Sequence, residues 1–231
     1  MKKVLVSLLL LIVMGLQNTF AQNYEVVYSM KMNPESVVRM IAGESGVPKA
    51  LLSFIKDDIK KARIMVSMRY SEDQCDITLL KEKSEFEIGF MGMKIDIIEI
   101  MANAGISSYS DFARGEHYAK VNLDGKDYCI RTEEEPEGVY KPVNLFKNIK
   151  GHECKKMVDK KNKVTVWYAE DIPFKTKMYP GVPGLVFEIT DDEGITFTVM
   201  SIKRTSAAVS LPHNAEVVTK EQMRRILKDR K

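Results

Sequence analysis

Cysteine is scarce here, with three in 231 residues. That excludes a scaffold built from disulfides. No Cys-x-x-Cys pair occurs, which removes the usual thiol redox centre. Histidine is equally rare, and His117, His152 and His213 stand far apart. His152-Glu153 has no second histidine at helical spacing, so the metalloprotease signature is absent. Charge of one sign is not in excess either: 35 basic against 32 acidic residues give +3. That is no electrostatic footprint for nucleic acid. There is no internal repeat, low-complexity tract or linker, and the expectation is one domain.

Long apolar runs are also missing, with one exception at the N-terminus. Lys2-Lys3 precede an apolar run from Val4 to Met14, and Thr19-Phe20-Ala21 ends the stretch with small residues. This is the pattern of a secretory signal peptide cleaved after Ala21. The run falls short of the roughly 20 residues that cross a bilayer. Loss of 21 residues from 231 leaves 210, and loss of Lys2 and Lys3 leaves 33 basic against 32 acidic residues, a net +1. The expected product is an exported, periplasmic protein with no membrane span, with association with the outer membrane left open. In an oxidising compartment three cysteines imply one bridge and one spare thiol. Cys129 and Cys154 lie in strands of successive hairpins and are the favoured pair. The other pairings stay open, because connectivity is not readable from spacing.

What is present is strand pattern. Tyr24, Val26, Tyr28, Met30 and Met32 alternate with mostly polar residues, as do Ile64, Val66, Met68 and Tyr70. Phe86, Ile88 and Phe90 follow the same rule, and so do Ile195, Phe197 and Val199. Period two means a half-buried strand, since successive side chains point to opposite faces. Leu123-Asp124-Gly125-Lys126 reads as a two-residue hairpin turn. Its register would pair Val121 with Tyr128 and Ala119 with Ile130 on one face, and Lys120 with Cys129 on the other. Turns at Asp159–Asn162 and Asp191–Gly194 join further strands. About eleven strand candidates linked by short turns predict an antiparallel sheet.

Helical patterns are fewer. Asn33-Pro34 opens one, with Val37, Val38 and Ile41 on a side. Pro48 opens another with Leu51, Leu52, Ile55 and Ile59, ending at Lys60-Lys61. Ile95, Ile98, Met101 and Ala102 fit a helix stopped by Gly105, but their isoleucine content fits a strand equally. Thr219-x-x-Gln222 is a capping box before Met223, Ile226 and Leu227. The fold expectation is α+β, mainly β: a curved antiparallel sheet, part of a barrel, with a few short helices.

One stretch is distinctive: Trp167-Tyr168-Ala169-Glu170-Asp171-Ile172-Pro173, then Gly181-Val182-Pro183-Gly184-Leu185-Val186. Proline second and glycine third in Val182–Leu185 predict a type II turn with positive φ at Gly184. On these residues, together with Gly151-His152-Glu153-Cys154-Lys155-Lys156, the chain resembles the GLPGLI family of exported proteins from Gram-negative bacteria. The resemblance implies an envelope protein. It gives Trp167, Pro173, Gly181, Pro183, Gly184 and Leu185 a structural role and implies no catalytic one. At the level of fold, the pattern is also similar to bacterial lipoprotein carriers, an analogy that says nothing of function by itself.

No chemistry-bearing set emerges. Gly43-Glu44-Ser45-Gly46 lacks the spacing of a nucleophile elbow. His152 and Cys154 share a strand face, but a surface histidine beside a disulfide cysteine is the plainer reading. Met30-Lys31-Met32 and Met91-Gly92-Met93 suit copper(I) by ligand type, and suit irregular core space better. No metal, cofactor or catalytic residue is therefore assigned, although paired carboxylates leave hydrolysis open. Two functions fit. One is a non-catalytic binder of an apolar or lipid-like ligand, with Leu52, Ile55, Ile59, Met68, Phe90 and Ile98 lining its pocket. The other is an envelope interaction protein that meets an outer-membrane receptor or assembly machine. Its surface would be the basic hairpin of Lys147, Lys150, Lys155, Lys156, Lys160, Lys161 and Lys163, with Glu133–Glu137 as an acidic counterpart in the same chain. The pattern is silent on oligomeric state.

Overall fold

The chain leaves its eighth strand at Thr132 and starts its ninth at Tyr140, and that short link shapes the molecule. A computed structural model describes residues 23–36, 49–90, 93–103, 106–133 and 138–229. The expected leader, the Val37–Ile41 helix face and Ser45 lie outside them. The strands are β1 Asn23–Lys31, β2 Ile64–Tyr70, β3 Gln74–Leu79, β4 Glu87–Phe90, β5 Met93–Asp96, β6 Ser107–Asp111 and β7 Glu116–Leu123. They continue with β8 Lys126–Thr132, β9 Tyr140–Ile149, β10 His152–Asp159, β11 Val164–Pro173, β12 Gly184–Thr190, β13 Thr196–Thr205 and β14 Glu216–Val218. The α-helices with both ends among the described residues are α1 Lys49–Lys61, α2 Ile97–Asn103 and α3 Lys220–Lys228.

Among the described residues, twelve strands form one sheet in the order β14-β8-β7-β6-β3-β2-β1-β13-β12-β11-β10-β9, while β4 and β5 form a separate hairpin. Every pair in the large sheet is antiparallel except β14 with β8. From β8 to β9 is ten strand steps, about 48 Å along the sheet at roughly 4.8 Å each. The eight links from Thr132 to Tyr140 reach at most about 29 Å. A flat sheet cannot be connected this way, so the sheet must curve. The expected class, a mainly β α+β domain with a curved and largely antiparallel sheet, is what forms.

Alternation places the core. Tyr24, Val26, Tyr28 and Met30 pair with Tyr70, Met68, Val66 and Ile64 on the front face, and all eight are buried. Three pieces cover that face. The segment from Phe174 to Pro183 packs on Tyr24, Tyr70 and Leu185. Helices α1 and α2 close over Met30, Ile64, Val66 and Leu79. Helix α3 lays Met223 on Val121 and Tyr128. The back face has a smaller cluster, where Val209 of the tail after β13 covers Tyr109, Tyr118 and Cys129. Beside it, Asp76 is 1% exposed and takes Arg69 Nε at 3.1 Å, together with the Lys120 ammonium. A buried carboxylate needs such partners, because leaving water costs it several kcal/mol (roughly).

Local expectations meet the structure closely in three places. The Leu123–Lys126 hairpin has the expected register, including Lys120 opposite Cys129. The capping box forms: Thr219 Oγ1 accepts from Gln222 N at 3.1 Å, and Gln222 Oε1 accepts from Thr219 N at 2.7 Å. The ambiguous isoleucine-rich stretch is both things in turn. It is strand to Asp96, then helix, because Asp96 Oδ1 accepts from Ile98 N (2.9 Å) and Glu99 N (3.2 Å) and so caps α2.

The disulfide expectation is corrected. Cys75, Cys129 and Cys154 are all free and buried. Hairpins that follow one another in sequence are not neighbours here, since β8 and β10 stand nine steps apart. Cys129 packs in the back cluster and Cys154 in the front one. Burial raises the pKa of all three thiols, that of Cys154 to about 11. All three thiols are thus held in the unreactive protonated form. A thiol-reactive dye at neutral pH will therefore label none quickly in the native protein and three per chain after unfolding in guanidinium. One thiol after unfolding would restore the disulfide.

Candidate functional site

The distinctive motif builds a strap. Strand β11 ends at Pro173, the chain crosses the front face from Phe174 to Pro183, and β12 starts at Gly184. Aromatic residues fasten it. Phe174 meets Tyr24 edge-on at 5.0 Å, and Tyr179 lies between Tyr70 (6.5 Å) and Tyr140 (6.0 Å). Below it, the Tyr28 hydroxyl donates to the Val186 carbonyl at 2.7 Å. The Tyr70 hydroxyl donates to Met68 Sδ at 2.8 Å. Burial pushes the pKa of Tyr28, Tyr70 and Tyr179 well up, so these hydroxyls stay protonated as donors.

The expected type II turn sits three residues earlier. Tyr179-Pro180-Gly181-Val182 has proline second and glycine third, Gly181 has φ +80°, and Val182 N donates to Tyr179 O at 3.2 Å. Gly184 has no positive φ; it is the first residue of β12, opposite Pro173. Its reason is closeness instead. A Cβ there would lie 2.1 Å from the Ala169 carbonyl oxygen, a backbone atom that cannot swing aside. Leu185 is 1% exposed in the core, and Pro183 lines an open cleft of about 390 Å³ with Glu72, Lys175 and Lys177. Trp167 lies half-buried on β11 under Lys147, whose Nζ is 4.3 Å from the ring centroid.

The expected apolar pocket is divided. Ile59 and Ile98 are buried with Ile55 packed beside them under the helices. Met68 belongs to the neighbouring cluster beneath the strap. The side chains of Leu52 and Phe90 lie outside the described residues. Where this core reaches the surface, an open cleft of about 480 Å³ has Phe86 and Ile98 in its lining and Asp58, Glu85, Glu87 and Asp96 beside them. Three of these carboxylates are already engaged, Asp58 with Gly89 N (3.1 Å), Glu87 with Lys94 Nζ (2.9 Å) and Asp96 as the α2 cap.

Other candidates are structurally occupied. His152 Nδ1 meets Asp171 Oδ2 at 2.7 Å, and the Cys154 thiol turns back to the His152 carbonyl at 3.7 Å. His117 Nδ1 bonds Ser110 Oγ at 3.0 Å. Among the described residues no three His, Cys, Asp or Glu side chains gather as metal ligands would. Met30 is core, and Met91 lies outside the described residues.

The basic hairpin is β9–β10 with its turns, and three of its lysines are neutralised by ion pairs. Lys147 bonds Glu188 at 2.5 Å, Lys155 bonds Glu170 at 2.6 Å and Lys163 bonds Asp192 at 2.8 Å. Residues 134–137 of the acidic counterpart lie outside the described residues. Pattern reading missed that β9 is the last strand of the sheet among the described residues. It is exposed from Lys141 to Phe146, with Leu145 at 50% and Phe146 at 54%. The signal was there in Pro142, since proline within an apolar run marks an edge strand. The other edge, β14, is only three residues long and carries α3.

No protein-family model matches the chain, and no curated protein matches it in sequence. Among solved structures it resembles PNGF-II in two space groups, P21 and C2, at TM-scores of 0.46 and 0.45 and 15% identity in each. The alignments cover 90% of this chain and 33% and 32% of PNGF-II, so the chain spans about a third of the structure that it matches.

The two motif glycines make opposite demands, and a pair of alanine variants separates them. Gly181→Ala places a side chain at positive φ and should cost about 1–2 kcal/mol in urea unfolding. Gly184→Ala drives a Cβ into backbone and should cost about 3 kcal/mol or more. Equal costs would contradict the close-approach account of Gly184.

Proposed function

We propose that the chain is an exported, non-catalytic interaction protein of the cell envelope, and that the β9 edge is its working surface. The single observation behind this reading is the ten-residue terminal strand, exposed along Lys141–Phe146, with Val143, Leu145 and Phe146 standing out of it. An exposed strand edge is a template for pairing, and proteins usually cover or shorten it. The opposite edge, β14, is only three residues long. Lysines without an ion-pair partner among the described residues, Lys150, Lys160 and Lys161, flank the strand at its two turns. The resemblance to GLPGLI proteins supports export and brings no chemistry with it.

The apolar-ligand reading rests on a different place, the open cleft beside Phe86 and Ile98. Ile59, Ile98 and Met68 already pack in core clusters, so the geometry favours the edge.

A photo-crosslinking residue at position 146 tests this in the cells that make the protein. It should give one discrete adduct, lost when Lys150, Lys160 and Lys161 are changed to glutamate. The same residue at position 200, exposed on β13, should give none. Adducts from both positions, or from neither, would contradict the proposal.

A further inference from the structure

The turn between β9 and β10 decides which backbone groups of the edge face outward. Lys150 (φ 54°) and Gly151 (φ 88°) are both left-handed, as the two central residues of a type I′ hairpin are. The residues flanking such a turn exchange both backbone hydrogen bonds, and bonded and non-bonded pairs alternate from there. Ile149–His152 and Lys147–Cys154 are thus bonded pairs, and Asn148–Glu153 and Phe146–Lys155 are not. The N–H and C=O groups of Phe146 and Asn148 therefore point off the sheet. After the register shift, Pro142 stands opposite Met157 at another outward position. Its missing N–H costs the ladder nothing there.

This edge has a defined chemical character. Val143, Leu145 and Phe146 are exposed at its centre. Lys150 lies at one end, and Lys141, Lys160 and Lys161 lie at the other, none with an ion-pair partner among the described residues. A second copy of β9 would bring the same cations against these, and like charges across strands repel. A lipid interior would leave the outward N–H and C=O groups unsatisfied, which costs several kcal/mol for each (roughly). An extended peptide satisfies both requirements, because it supplies backbone partners and can carry carboxylates.

We propose that β9 takes up an extended, acidic segment of a partner protein as an added strand, hydrogen-bonded to the outward groups of Phe146 and Asn148. The segment is apolar at its centre, against Val143–Phe146, and acidic towards its ends. This deepens the reading of the edge as the working surface and rests on it.

The test is selection of a random peptide library displayed on phage against the purified protein. Selected peptides should carry Asp or Glu on both sides of an apolar centre and should bind more weakly as salt rises. Asn148→Pro removes one outward N–H and leaves the β9–β10 ladder bonds intact, while the turn bond from Gly151 N to Asn148 Oδ1 (3.0 Å) is lost in it and in Asn148→Ala alike. It should weaken binding about tenfold, the worth of one backbone hydrogen bond. Asn148→Ala keeps the N–H and should change binding little. Lys150→Glu with Lys161→Glu should abolish the salt dependence, a readout that stands even if the proline variant fails to fold. Neutral or basic selected peptides would overturn the acidic partner while leaving the edge as the working surface. Peptides indifferent to Asn148→Pro would overturn strand addition. No selected peptide, with sedimentation on phosphatidylglycerol vesicles instead, would make the surface a lipid one. No peptide, no vesicle binding and no adduct at position 146 would overturn the edge reading as well.

Discussion

One open sheet of twelve strands must bury a face with no second sheet of comparable size among the described residues to pack against, and the rest of the structure answers that constraint. The front face is covered in three pieces: the strap on the tyrosines, α1 and α2 over Met30 and Ile64, and α3 on Val121 and Tyr128. The short link from Thr132 to Tyr140 forces the curvature of the sheet that these pieces cover. An open sheet also keeps two edges. The chain ends one in the three residues of β14 and leaves the other, β9, long and, among the described residues, exposed.

The distinctive motif belongs to this packing problem. Its glycines and prolines let β11 leave the sheet, cross the front and return within eleven residues of Pro173. Gly181 makes the turn, while Gly184 lets β12 start against the Ala169 carbonyl. The aromatic side chains ahead of the turn glycine, Phe174 and Tyr179, are the contacts that hold the strap down. The motif is therefore a joint, and the surface left for a partner lies three strands away along the sheet from β12.

Much of this was legible locally. The Leu123–Lys126 register, the run of α1 to Lys61 and the α3 capping box each depend on residues a few positions apart. What stayed hidden depends on strand order. Alternation states which residues share a face and says nothing of which strand lies alongside. Hence Cys129 and Cys154 looked like partners, although β8 and β10 lie nine steps apart. Met68 was grouped with Ile59 and Ile98, although it packs in the adjacent cluster. β2 also defeats the two-face rule, since Met65 and Ser67 are buried as well as Val66 and Met68. The turn was displaced because Tyr179-Pro180-Gly181 and Val182-Pro183-Gly184 both offer Pro-Gly, and only the close approach to Ala169 distinguishes them.

The central claim is that β9 presents unpaired backbone groups at Phe146 and Asn148. Native-state amide hydrogen exchange reads those groups one residue at a time. The account predicts alternation along the edge, with the amides of Lys147 and Ile149 protected and those of Phe146 and Asn148 exchanging at nearly the unfolded rate. Equal protection of all four amides in the isolated protein would show that the edge is already occupied, and would contradict the account.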